Sequence, residues 1–113
     1  MGSQMTSVLL VRTKKAYVAH LLEHDLVGQG RTAARALFNL FCAYQVAERE
    51  GMLATLEAAP LHVWAEFREG NEITFEEALR LDEAQDNEFS GAPPPWMIHT
   101  LLMERQGSTR QRV

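Results

Sequence analysis

The stretch SVLLVRTKKAYVAHLLEHDLVGQG, residues 7–30, decides the fold of this chain. Residues 7–12 are β-rich and apolar on both faces, which is typical of a strand buried inside a sheet. Residues 13–15 form a polar turn, and residues 16–22 predict a second strand with alternating faces. Residues 24–30 predict a bend and a short third strand. Three consecutive strands with short connections predict an antiparallel meander.

The hydrophobic period becomes helical after Gly30. Thr32 is a suitable N-cap, and Gly51 suits the position after the C-cap. Between them, apolar residues recur at the spacing of one helix face: Ala33, Ala36, Leu37, Leu40, Phe41, Tyr44 and Ala47. Phe38 and Cys42 widen this face. We therefore expect the helix to be covered by the sheet and by a partner, with Cys42 acting as a small buried hydrophobe.

Helices are predicted for most of residues 52–113. Pro60 suits the first position of a short helix. Thr74 and Glu77 fit the capping-box pattern, in which each side chain bonds the backbone of the other residue. The spacing of apolar residues predicts that this second helix continues to about Gln85.

A Pro-rich hinge at residues 92–95 precedes the last predicted element, since proline removes backbone donors and fixes an extended segment. The segment Trp96–Met103 is apolar nearly all round and predicts a final helix. The predicted fold class is α+β. It comprises a three-stranded antiparallel sheet with one packed helix at residues 6–51, and a helical, acidic C-terminal extension at residues 52–113.

The run from Lys15 to Thr32, with Ala36-Leu37-Phe38-Asn39-Leu40 after it, resembles the HicB-like family. Members of that family carry a strand similar to Y-V-A-x-x-L-E-H-D, then x-Q-G-x-T and a helix opening x-E-A-L-x-N-L. The resemblance covers about residues 6–51. It implies a partial ribonuclease-H-like sheet with one helix across a face, and an antitoxin-like protein that binds a small ribonuclease toxin.

The chain departs from that family in two places. The family helix usually begins with acidic residues, whereas Ala33, Ala34 and Arg35 stand here. Antitoxins of this family also carry a C-terminal helix-turn-helix or ribbon-helix-helix DNA reader. Residues 52–113 show neither pattern, and their acidic centre repels phosphate, so we expect no direct DNA binding.

Acidic residues concentrate in the middle of the chain. The formal net charge is -4, but residues 66–90 hold nine acidic side chains against Arg68 and Arg80. Such a cluster is either a solvated helix face or a docking surface for a basic protein, such as a toxin or a nucleic-acid-processing protein. The candidate partner-binding residues are Glu66, Glu69, Glu72, Glu76, Glu77, Asp82, Glu83, Trp96 and Met97.

His20, Glu23 and His24 match the H-x-x-E-H zinc-protease pattern. That chemistry needs both histidines on one helix face, whereas a strand separates positions i and i+4 by about 13 Å. A structural bend is therefore preferred, and a metal-dependent hydrolase is the weakest alternative. A two-metal nuclease is not expected, because only Glu23 and Asp25 lie in the sheet region. We expect no catalytic residue, cofactor or metal.

Composition narrows the class of protein further. The single Cys42 excludes an internal disulfide. No apolar run approaches the roughly 20 residues that cross a bilayer, and a signal peptide is not evident, so a cytoplasmic protein is expected.

The first two predicted strands are apolar on both faces, so the C-terminal helices or a second copy should cover the second face. A homodimer is favoured, through paired strand edges or exchanged C-terminal segments. A self-assembling structural subunit is the alternative function.

Overall fold

The computed structural model describes residues 5–81 and 95–101. A 3₁₀ turn at Leu53–Thr55 follows the first helix. The strands and helices are, in chain order, β1 (Met5–Arg12), β2 (Tyr17–Leu21), β3 (Leu26–Gly30), α1 (Ala33–Arg49), α2 (Leu61–Arg68), β4 (Asn71–Glu72), α3 (Phe75–Leu79) and β5 (Trp96–Leu101).

The predicted N-terminal meander is confirmed. β1 pairs antiparallel with β2, where Val8 lies opposite Leu21, and β2 pairs antiparallel with β3, where Ala19 lies opposite Gly28. Tyr17, Ala19 and Leu21 are buried on one face of β2 as the alternation predicts. Local patterning is sufficient for this part of the fold.

The sheet is larger than predicted. Its strand order is β3-β2-β1-β5-β4, with β5 antiparallel to β1 and β4 parallel to β5. The α+β class is confirmed, but the predicted three-stranded antiparallel sheet is wrong. The described residues form a five-stranded mixed sheet, because two short strands from the second half of the chain join the open edge of β1.

The predicted final helix at Trp96–Met103 is also wrong, since residues 96–101 form β5. A strand that is covered on both faces is apolar throughout, and a short apolar run does not distinguish such a strand from a helix. Ile98 is fully buried on the α1 side of β5, and Met97 packs on the α2 side. Residues 102 and 103 lie outside the described part of the chain.

α1 covers one face of the sheet and forms the main core with it. The Thr32 hydroxyl accepts a hydrogen bond from the Arg35 amide at 3.0 Å, which confirms the predicted N-cap. Gly51 follows the C-cap residue with a φ of 70°, as predicted for that position. The core residues on this side include Val8, Leu10, Leu21, Leu37, Leu40 and Ile98.

α2 covers part of the opposite face. Phe67 is buried there with Leu9 and Leu22, and Trp64 packs against them. The Ala59 amide donates to the Leu22 carbonyl at 2.8 Å, which ties the segment before α2 to the end of β2. The second face of β1 is thus covered by a helix of the same chain, one of the two predicted arrangements.

Two predicted helix ends differ from those observed. Pro60 is the N-cap of α2 and not its first helical residue. α3 ends at Leu79 and does not reach Gln85, because the Arg80 amide bonds the Glu77 carbonyl at 3.1 Å in a tightened last turn. Residues 82–85 lie outside the described part.

The predicted capping box at the start of α3 is confirmed. The Glu77 amide donates to the Thr74 hydroxyl at 3.0 Å, and the Thr74 amide donates to the Glu77 carboxylate at 2.9 Å. Together these bonds satisfy two backbone donors that a helix start otherwise leaves unpaired.

We expect Thr74→Ala to lower the free energy of unfolding by about 1 kcal/mol, the usual cost of losing an N-cap. Urea unfolding followed by circular dichroism measures this loss. Glu77→Gln is the matched control, because glutamine retains the acceptor of the capping box. Equal losses for the two variants would contradict the role of the Thr74 hydroxyl.

Candidate protein-binding site

The predicted acidic residues divide into two groups in space. Glu66 is exposed on α2, the helix that covers part of the second sheet face, and Glu69 is exposed at the C-cap of that helix. Glu72 is exposed on β4, and Glu76 and Glu77 are exposed in the first turn of α3. Asp82 and Glu83 lie outside the described residues. The structure therefore brings together three of the seven predicted acidic side chains.

Glu72, Glu76 and Glu77 line an open groove of about 490 Å³. Ile73, Phe75 and Met5 contribute apolar surface to it. Thr74 and, from β5, His99 and Thr100 complete the described lining, which contains three glutamates and no lysine or arginine. We call these nine lining residues the acidic groove. A lining that combines apolar and acidic side chains suits a basic segment that also carries aliphatic side chains.

The acidic groove lies where one strand of the sheet ends. β4 pairs with β5 only at Glu72 opposite Met97 and Asn71 opposite Trp96, and the Ile73 amide then donates to the Met97 carbonyl at 3.0 Å. β5 continues to Leu101, and no described residue pairs with its outer edge beyond Met97. An unpaired strand edge can accept an extended peptide through main-chain hydrogen bonds.

The three glutamates of the acidic groove are not equivalent. The Glu77 carboxylate accepts a hydrogen bond from the Thr74 amide in the capping box, so one of its oxygens already has a partner within the chain. Glu72 and Glu76 make no ion pair with a basic side chain in the described ranges. Their negative charge is therefore available to a cation brought into the groove, and it is screened beyond about 8 Å at physiological salt.

Trp96 and Met97, which were also predicted to bind a partner, lie on opposite faces of β5. Trp96 packs on the main core, with its ring centroid 6.2 Å from that of Tyr17. Met97 packs with Leu9 and Phe67 on the α2 side. Both are half-buried, and neither lines the acidic groove.

The H-x-x-E-H segment forms a strand end and a turn, as predicted. His20 Nε2 lies 2.6 Å from Asp25 Oδ1, and Asp25 itself adopts a positive φ of 54°. The Glu23 carboxylate instead accepts the Ser7 amide at 2.8 Å and so extends the pairing of β1 past the end of β2. His20 and Glu23 thus bind different partners, and the helical geometry of a zinc protease is not present.

The His24 side chain lies beside Tyr44 of α1, apart from the partners of His20 and Glu23. Its ring centroid lies 5.9 Å from that of Tyr44, and its buried Nδ1 has no partner among the described residues. Burial raises the pKa of Tyr44 above the ordinary value of 10.0, and the nearby Glu48 carboxylate raises it further. Within the described ranges, no three His, Cys, Asp or Glu side chains are grouped to hold a metal ion.

No family model, curated protein or solved structure matches this chain. Among the helices that the structure describes, none has the length and apolar character needed to span a membrane. The acidic groove must therefore be interpreted from its own residues.

The apolar residues and the β5 residues of the acidic groove could not be predicted from the sequence. Met5 and His99 are far apart in the chain and meet only because β1 and β5 are adjacent strands. The one local signal was the capping box, which places Ile73 and Phe75 beside Glu72, Glu76 and Glu77 at a helix start. It did not show that this helix start borders a sheet edge.

Proposed function

We propose that this chain is a non-enzymatic, antitoxin-like protein-binding module that holds a basic segment of a partner protein in the acidic groove. The partner is a basic toxin or another nucleic-acid-processing protein, which the module neutralises or scaffolds. Such partners carry lysine and arginine to contact phosphate, and those side chains complement the glutamates.

The acidic groove is the observation that carries this proposal. Glu72 and Glu76 stand beside the open outer edge of β5, so a bound segment can pair its main chain with the strand while its cations meet the carboxylates. A second support is the meander covered by α1, the arrangement that the resemblance to HicB-like antitoxins implies for residues 6–51.

A peptide titration tests the binding mode. We expect the full chain to bind an extended peptide of alternating lysine and valine, measured by calorimetry, with an affinity that falls as salt rises. The double variant Glu72→Gln and Glu76→Gln should weaken binding about tenfold or more, because two charge-assisted contacts are lost. The capping box is left intact by design.

The matched control is the double variant Glu66→Gln and Glu69→Gln. It removes the same charge from the same acidic stretch but lies outside the acidic groove, so the affinity should change by less than about threefold. If both double variants lower the affinity equally, the peptide binds through the net charge of the protein and not through the acidic groove. A full chain that does not bind the peptide at low salt contradicts the groove as the binding site.

A co-purification experiment tests the class of partner. We expect the tagged protein to retain the product of a neighbouring reading frame when the two are co-expressed, and that product to be small and basic. The groove variant should lose this partner, and the α2 control should keep it. Retention by both would place the interface elsewhere.

A further inference from the structure

The outward face of α1 carries an apolar ridge. Phe38 is 55% exposed and Val46 is 43% exposed, and the free thiol of Cys42 lies exposed between them. The prediction that Cys42 is buried is therefore wrong. The three residues are spaced by four and form one row along the helix, which we call the α1 ridge. The sheet does not cover this row, because α1 turns Leu37 and Leu40 toward the core.

A mostly apolar groove of about 560 Å³ begins at Phe38 of the α1 ridge, where the Arg35 guanidinium lies 5.3 Å from the centroid of the Phe38 ring. Phe41 forms part of its wall and is stacked on Phe75 of α3, with ring centroids 5.5 Å apart. Leu79 of α3, which is 40% exposed, lines the other side with Ala34. The groove therefore extends the exposed apolar surface of α1 from the ridge toward α3.

We infer that the α1 ridge is the interface of a homodimer, in which α1 packs antiparallel on α1 of a second copy. The ridge is symmetric about Cys42, since Phe38 stands four residues before it and Val46 four residues after it. Each lies about 6 Å from Cys42 along the helix axis. A two-fold axis at Cys42 places Phe38 of each copy at the same level along the helix axis as Val46 of the other.

Charges beside the α1 ridge favour a second copy and the antiparallel direction. Arg35 lies seven residues before Cys42 and Glu50 eight residues after it, both exposed. At about 100° per residue they stand about 20° and about 80° to the same side of Cys42, and Glu50 continues the row of the ridge one turn past Val46. Like flanks face each other in an antiparallel pair, so Arg35 of each copy meets Glu50 of the other, next to Arg49. In a parallel pair the two Arg35 side chains would stand at the same level and repel.

The interface is small, because one helix from each copy buries less than the roughly 1,200 Å² at which stable complexes begin. We therefore expect a dimer that dissociates in the micromolar range. The α1 ridge contains none of the three glutamates of the acidic groove, so the dimer and the proposed partner binding can fail or succeed separately.

Oxidative crosslinking tests the two-fold axis. The full chain is treated with copper phenanthroline at micromolar protein concentration. This oxidant should remove two electrons and two protons from the Cys42 thiols of two copies and so form one disulfide. A covalent dimer on a non-reducing gel is expected. Phe38→Glu should abolish it, whereas Val27→Glu should not, because Val27 is 50% exposed on the sheet face that points away from α1.

Sedimentation velocity on charge-reversal variants tests whether the two α1 helices run antiparallel. Arg35→Glu and Glu50→Arg should each weaken association about threefold or more, and the double variant should restore it, because the pair is re-formed with its signs exchanged. Circular dichroism confirms that these surface variants fold. The inference is overturned if the protein is a strict monomer at about 100 µM, or if the Phe38→Glu variant still dimerises. It is also overturned if the double variant associates as weakly as the single variants.

Discussion

Replacing Gly28 with alanine is expected to lower the free energy of unfolding by at least about 3 kcal/mol. Gly28 lies on β3 directly beneath α1. An added Cβ would stand 2.2 Å from the Leu40 amide nitrogen and 2.5 Å from the Ala36 carbonyl oxygen. Both are backbone atoms of the helix, so no side chain can rotate away and the whole helix must lift from the sheet.

Chemical denaturation followed by circular dichroism measures this loss, and Gly51→Ala is the matched control. Gly51 has a φ of 70° and no atoms near an added Cβ, so its substitution costs only the left-handed conformation, about 1–2 kcal/mol. If Gly28→Ala were the milder of the two substitutions, α1 would not pack as closely on β3 as the structure shows.

Ile98→Ala is expected to cost about 2–5 kcal/mol of unfolding free energy, the range for cavities left by large aliphatic side chains. Ile98 is fully buried and lies opposite Val8 in the pairing of β5 with β1. Removing its side chain opens a cavity beneath α1, although Ile98 belongs to the half of the chain that was predicted to be a separate helical extension.

Val27→Ala is the comparison for this variant, since Val27 is 50% exposed and its truncation should change stability by less than about 0.5 kcal/mol. Both variants shorten a β-branched side chain in a strand. A loss for Ile98→Ala no larger than that for Val27→Ala would mean that β5 is not an integral strand of the sheet.

Much of the fold could be predicted from local patterns. The alternation at Tyr17, Ala19 and Leu21 fixes which face of β2 is buried, and the helical period of apolar residues at 33–47 fixes the core face of α1. The caps at Thr32 and Thr74 depend on hydrogen bonds within one turn, so they were predicted to the residue.

β5 could not be predicted, because its pairing joins residues at opposite ends of the chain. The Thr6 hydroxyl donates to the Thr100 carbonyl across 94 positions of sequence. A strand covered on both faces lacks the alternation that identifies an exposed strand, so Trp96–Leu101 has the same apolar pattern as a buried helix.

The candidate site was predicted in composition but not in position. The glutamates were singled out by their charge, which is a property of the sequence. That Glu72, Glu76 and Glu77 line a groove with Met5 and His99, while Glu66 and Glu69 do not, follows from where β4 leaves the sheet.

The sequence by itself determined the meander, the helix that covers it and the acidity of the middle of the chain, because each depends on side chains a few residues apart. The tertiary structure decided which strand borders β1, which glutamates share a groove and which side of α1 stays uncovered. Those outcomes depend on the pairing of distant segments, and the free energy of that pairing comes from burial that no short stretch of sequence contains.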